Sequence, residues 1–68
     1  MKKISLSYFG NDRKGCEYVV YENGEVTIYF MLNGIEISEV DVDLETLGFH
    51  TVEQLVVDLL NSGYKINL

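Results

Sequence analysis

"NGEVTIYFMLNGIEISEVDVD", Asn23 to Asp43, contains two Asn-Gly pairs, an alternating apolar run between them and a second run after them. Val26, Ile28, Phe30 and Leu32 recur at every second position, the period of a strand with one buried face. Asn-Gly tolerates the positive φ that both central positions of a type I′ turn demand, so each pair predicts a two-residue hairpin. The run after Asn33-Gly34 changes phase. Ile35 and Ile37 are apolar at odd positions, whereas Val40, Val42 and Leu44 are apolar at even ones. Counting across a two-residue turn sets Leu32 opposite Ile35, Phe30 opposite Ile37 and Ile28 opposite Glu39. A carboxylate on the apolar face is costly. One extra residue near Ser38-Glu39, a β-bulge, brings Val40 opposite Ile28 and Val42 opposite Val26.

Working outward, "KISLSYF" (3–9) alternates and reads as strand one. "GNDRKG" (10–15) is a polar loop, and "CEYVVYE" (16–22), β-branched and aromatic, is strand two. Strand three is 25–32, and strand four starts at Ile35. The C-terminal third changes period. Thr51 and Gln54 fit a capping box. Val52, Leu55, Val56 and Leu59 then recur at helical spacing, and Asn61-Ser62-Gly63 supplies a left-handed stop, so a helix is expected from Val52 to Asn61. "DLETLG" (43–48) suggests a short turn of helix, and "YKINL" (64–68) a closing strand. The predicted fold is α+β: a four-stranded antiparallel β-meander, one α-helix on one face and a short C-terminal strand (ββββαβ). The chain reads as one domain, 1–68, with the last strand beside strand one.

The same two-residue counting across Asn23-Gly24 sets Tyr21 opposite Val26 and Val19 opposite Ile28. The face expected beneath the helix then carries Val19, Tyr21, Val26, Ile28, Phe30, Leu32, Ile35, Ile37, Val40 and Val42. Burying each fully contributes roughly 1.5–3 kcal/mol, enough for a small core. The open face carries Cys16, Tyr18, Val20, Thr27, Tyr29, Met31, Glu36, Ser38, Asp41 and Asp43. Tyr18 is expected beside Tyr29, Thr27 beside Asp41, Glu25 beside Asp43 and Glu22 opposite Glu25.

A chain of 68 residues buries only about 60% of its unfolded surface. Cys16 is the only cysteine, so no disulfide framework supports the fold, and a lone thiol fits a reducing compartment such as the cytoplasm. The basic start, "MKKISLSYFGND", lacks the continuous apolar core of a signal peptide. No run reaches the ~18 apolar residues of a membrane span. Charge is unevenly placed: Lys2, Lys3, Arg13, Lys14 and Lys65 are the only Lys and Arg residues, and the span 15–64 holds ten carboxylates and no Lys or Arg. Direct nucleic-acid binding needs clustered Lys and Arg and is disfavoured, as is an anionic membrane surface.

Three constellations bear on chemistry. Glu22, Glu25, Glu36, Asp41, Asp43 and Glu45 gather near Tyr18, Tyr29 and Met31, so acids lie beside the aromatic and methionine side chains favoured at interface cores. That combination suits docking on a partner protein with a basic groove, one that otherwise holds nucleic acid. Reversing charge at Asp41 and Asp43 is expected to weaken such binding without unfolding. The competing reading is a solvated face on a strand whose charges prevent edge aggregation, and the open face also suits a homodimer. Cys16 and His50 form a nucleophile-base pair in type only, with no third group, so no enzyme activity and no catalytic residue is expected. Asp41-x-Asp43-x-Glu45 lacks the glycine and spacing of a calcium loop, so no metal or cofactor is expected either. Lys2, Lys3, Arg13 and Lys14 read as a small solvated basic patch. In size and charge the chain resembles phage-encoded inhibitors of bacterial defence, the anti-CRISPR and anti-restriction types. The likeness implies a protein-binding, inhibitory role.

Overall fold

The computed structural model describes residues 2–10 and 13–68, so Asn11-Asp12 at the tip of the first predicted loop lies outside the described residues. The elements are β1 (Lys3–Phe9), β2 (Lys14–Tyr21), β3 (Glu25–Leu32), β4 (Ile35–Asp43), α1 (Val52–Asn61) and β5 (Lys65–Ile66). They build a five-stranded antiparallel sheet of order β4-β3-β2-β1-β5 with one helix, the predicted α+β arrangement. Three details differ from expectation. β2 begins at Lys14, β5 shrinks to two residues, and the segment expected to be helical at 43–48 ends β4 at Asp43 and then forms hydrogen-bonded turns over 44–48. Gly48, at φ 87°, ends those turns before a helix can propagate.

The two Asn-Gly turns are not alike. Asn33 (φ 55°) and Gly34 (φ 80°) both take positive φ, as a two-residue type I′ turn requires, and Leu32 pairs with Ile35. At the other turn only Gly24 does (φ 92°). The Gly24 N–H donates to the Tyr21 carbonyl at 3.0 Å, and the Glu25 N–H donates to Asn23 Oδ1 at 3.0 Å. This is a three-residue loop, Glu22 to Gly24, with glycine at the left-handed position. Val20 therefore pairs with Val26 and Tyr18 with Ile28. A one-residue slip turns a strand over, so the expected faces of β2 are exchanged. Cys16, Tyr18 and Val20 lie on the helix side, and Glu17, Val19 and Tyr21 on the open side.

The β-bulge exists, one residue earlier than expected. Met31 pairs with Glu36 and Phe30 with Ser38, which leaves Ile37 as the extra residue. Beyond it Ile28 meets Val40 and Val26 meets Val42, the expected register. Moving the bulge exchanges two side chains. Glu39, opposite Tyr29, joins the open face, and Ser38 leaves it.

The core is Leu6, Val20, Val26 and Ile28 from the sheet with Leu55 and Leu59 from α1. Helix α1 begins with the predicted capping box. Thr51 Oγ1 accepts the Gln54 N–H at 3.1 Å, and Gln54 Oε1 accepts the Thr51 N–H at 3.3 Å. It ends in a Schellman motif: the Gly63 N–H reaches the Leu60 carbonyl, and the Tyr64 N–H the Leu59 carbonyl. The Tyr64 ring then settles 5.6 Å from Tyr8 and 5.4 Å from Tyr18, centroid to centroid. The helix is about 15 Å long. It crosses diagonally: just before its N-cap the Phe49 N–H donates to the Leu44 carbonyl at the β3–β4 end, and just after its last turn Gly63 lies beside Tyr8 of β1. The expectation that it covers all of one face therefore fails at the far corner. Phe30, Leu32 and Val40 stay exposed, and Ile35 and Ile37 are 68% and 63% exposed.

Candidate functional site

The open face of β3 and β4 sets an acid of β4 opposite a different kind of side chain of β3 in each successive row. Glu25 stands opposite Asp43, Thr27 opposite Asp41, Tyr29 opposite Glu39 and Met31 opposite Glu36. Alternate residues on a strand lie roughly 6.5–7 Å apart, so Glu39, Asp41 and Asp43 form an evenly spaced negative line. Each is held differently. Thr27 Oγ1 donates to Asp41 Oδ1 at 2.8 Å, which fixes that carboxylate and leaves its second oxygen to accept elsewhere. Asp43 Oδ1 accepts the Thr46 N–H at 2.7 Å. Hydrogen bonds from the Thr46 backbone and side chain hold the Asp43 carboxyl below its usual range. The Tyr29 phenol is held above its usual value, first by partial burial and then by Glu39, Tyr21, Glu36 and Asp41.

Across the face toward β1 the character changes. Val19 and Tyr21 continue the surface from β2. Glu17 is already engaged: it accepts from Ser5 Oγ and from Asn67 Nδ2, and Ser7 Oγ donates to Asn67 Oδ1 at 2.8 Å. Lys3 and Lys65 lie in register with Tyr21 and Ser7 on this far side. Negative charge is therefore concentrated at β3–β4, whereas the other end carries Lys3 and Lys65 and the single carboxylate of Glu17.

Of the predicted partner-binding residues, Glu25, Glu36, Asp41, Asp43, Tyr29 and Met31 share this face. Glu45 is exposed in the turns just after β4, and Glu22 belongs to the three-residue loop instead of standing opposite Glu25. Tyr18 is not on this face. It lies under the helix in edge-to-face contact with Tyr64, because β2 is turned over. Sequence reasoning missed Glu39 and Tyr21. Glu17 carried the signal: the two-residue register would have put its carboxylate on the helix side with Val19 and Tyr21.

The remaining candidates separate. Cys16 lies beside Tyr64, beyond the C-terminal end of α1, whereas His50 precedes its N-terminal end, so the helix length divides them. Burial, followed by the Cys16 thiol, Tyr18 and Tyr8, raises the Tyr64 phenol well above its ordinary range. The basic patch is not one patch. β1 and β2 are antiparallel, so Lys2-Lys3 and Arg13-Lys14 stand at opposite ends of the sheet. Among the described residues no group of three or more His, Cys, Asp or Glu is placed to hold a metal ion, and no helix is long and apolar enough to cross a membrane. No protein-family model, no curated protein and no solved structure matches the chain.

Proposed function

We propose that this chain is a non-catalytic protein-binding module that docks its β3–β4 face on a basic site of a partner and inhibits or modulates it. The supporting observation is the alignment of Glu25, Glu36, Glu39, Asp41 and Asp43 along one open sheet face, interleaved with Tyr29 and Met31. Acids steer the encounter, and the aromatic and methionine side chains supply area that excludes water. A basic groove that ordinarily holds nucleic acid is the favoured target. This agrees with the size and charge the chain has in common with phage-encoded inhibitors of bacterial defence.

The test is affinity capture at rising salt, with wild-type protein and a charge-reversed variant in parallel. Asp43 stabilises the turn at Thr46, so Glu39→Lys with Asp41→Lys separates binding from folding better than a change at Asp43. Loss of the captured protein with salt and with the variant supports the proposal. Full retention by the folded variant removes the acidic row from the mechanism.

A second reading, a homo-oligomer, is favoured by the exposed Phe30, Leu32, Ile35, Ile37 and Val40 on the helix side of the sheet. Light scattering after gel filtration separates the two. A monomer at every concentration counts against the oligomer.

A further inference from the structure

Strand β4 is the first strand of the sheet and, among the described residues, has a neighbour, β3, on one side only. The Leu44 N–H donates to the Gly24 carbonyl at 3.0 Å. Bonded and non-bonded pairs alternate along an antiparallel ladder. Val42 and Val40 therefore turn their backbone groups toward β3, whereas Glu39 and Asp41 turn theirs outward, to the unpaired edge. The two sides of this edge differ in chemistry. On the open face it carries Glu39, Asp41 and Asp43. On the helix side it carries Val40 and Val42, with Phe30 and Ile37 exposed nearby because the helix runs away from this corner.

We infer that the edge from Ser38 to Asp43 accepts an added β-strand from the partner, and that this strand alternates basic and apolar residues. An added strand keeps the period of two. Its residues on the open side meet the three carboxylates and are Lys or Arg. Those on the other side meet Val40, Val42 and the exposed corner and are apolar. Charge selects this occupant over a second copy of the chain. Two β4 strands paired antiparallel about Val40 would set Glu39 of each against Asp41 of the other, and like charges directly opposite are destabilising. The bulge at Ile37 limits the addition to the regular segment after it. This inference rests on the proposed docking function and names the form its partner takes.

The test uses wild-type protein and two capped peptides of one composition, one alternating Lys and Val, the other with the same residues in two blocks. Binding is followed by backbone amide exchange. The expected result is tighter binding of the alternating peptide and exchange slowed about tenfold or more at Glu39 and Asp41. Val40 and Val42, already bonded to β3, should change little. Equal, salt-sensitive binding of both peptides without slowed exchange overturns strand addition and leaves the acidic docking face standing. Binding that Glu39→Gln with Asp41→Asn leaves unchanged overturns both readings, as does no binding of either peptide. Protection of Glu39 and Asp41 in the protein alone, growing with its concentration, overturns the inference in favour of a second copy.

Discussion

Tyr29 stands directly opposite Glu39 across the β3–β4 pair, and its phenol holds its proton more tightly than a free tyrosine. The ring thus reports on the acidic row. Glu39→Gln should move the Tyr29 titration down toward the ordinary value of 10.0, read by ultraviolet or NMR titration. Glu45→Gln, outside the groups that act on Tyr29, should leave it in place. An unmoved Tyr29 in the Glu39 variant would show that the row has no collective field at this ring.

The core and the exposed corner should respond to truncation by very different amounts. Leu6, in the middle of β1, is fully buried, so Leu6→Ala should cost about 2–5 kcal/mol. Against the 5–15 kcal/mol typical of a whole protein, that is enough to leave a small fold largely unfolded on warming. Ile37 is 63% exposed, so Ile37→Ala should change stability by no more than about 0.5 kcal/mol. Urea denaturation measures both. A large loss at Ile37 in dilute protein would mean that the corner is already covered.

Gly15 permits a close approach within the sheet. A Cβ there would come within 2.5 Å of the Phe9 ring and 2.9 Å of the Tyr8 carbonyl oxygen. The ring can swing aside, but the backbone oxygen cannot. Gly15→Ala should therefore destabilise by about 1–3 kcal/mol, against the usual gain from replacing a strand glycine. An equal or higher melting temperature for the variant would contradict this packing.

Stability should fall at both ends of the pH scale for different reasons. Tyr18, Tyr29 and Tyr64 all have raised values, with burial as the leading cause of each. The unfolded chain then loses these protons first. The stabilisation is present below the ordinary value of 10.0 and is lost as pH rises through the higher folded values. Tyr64→Phe should flatten this alkaline decline. Asp43 is the reverse case. Its lowered value contributes stability above its ordinary 3.8 that disappears as pH falls through the folded value. Asp43→Asn should flatten the acid limb, and denaturation curves across pH show both slopes.

The sequence carried the strand order, the helix with both caps and the existence of the bulge, because each rests on a local signal. Thr51 and Gln54 are three residues apart, and Gly63 follows the helix directly. The turn at Asn23-Gly24 was misread because the same dipeptide serves two loop lengths. Strand β2 did little to choose between them, since Val19 and Val20 are adjacent and both apolar, with Tyr18 and Tyr21 flanking them. Only Glu17 distinguishes its faces. The β3–β4 part of the candidate site survives this error, though Tyr18 leaves it, because β3 and β4 are joined through the other turn, whose register matches expectation on both sides of the bulge and departs from it only at Phe30, which meets Ser38 and not Ile37. The bare corner was not legible at all. It depends on the direction in which α1 crosses, which no local pattern encodes.

The two hairpin loops differ by one residue, and that odd count sets the parity of everything N-terminal to Gly24. Shortening the Glu22–Gly24 loop by one would rotate β2 by half a turn about its own axis. Tyr18 would be expelled into solvent, and Glu17 would be driven under Leu55 and Leu59. An insertion or deletion there is therefore an inside-out exchange for a whole strand.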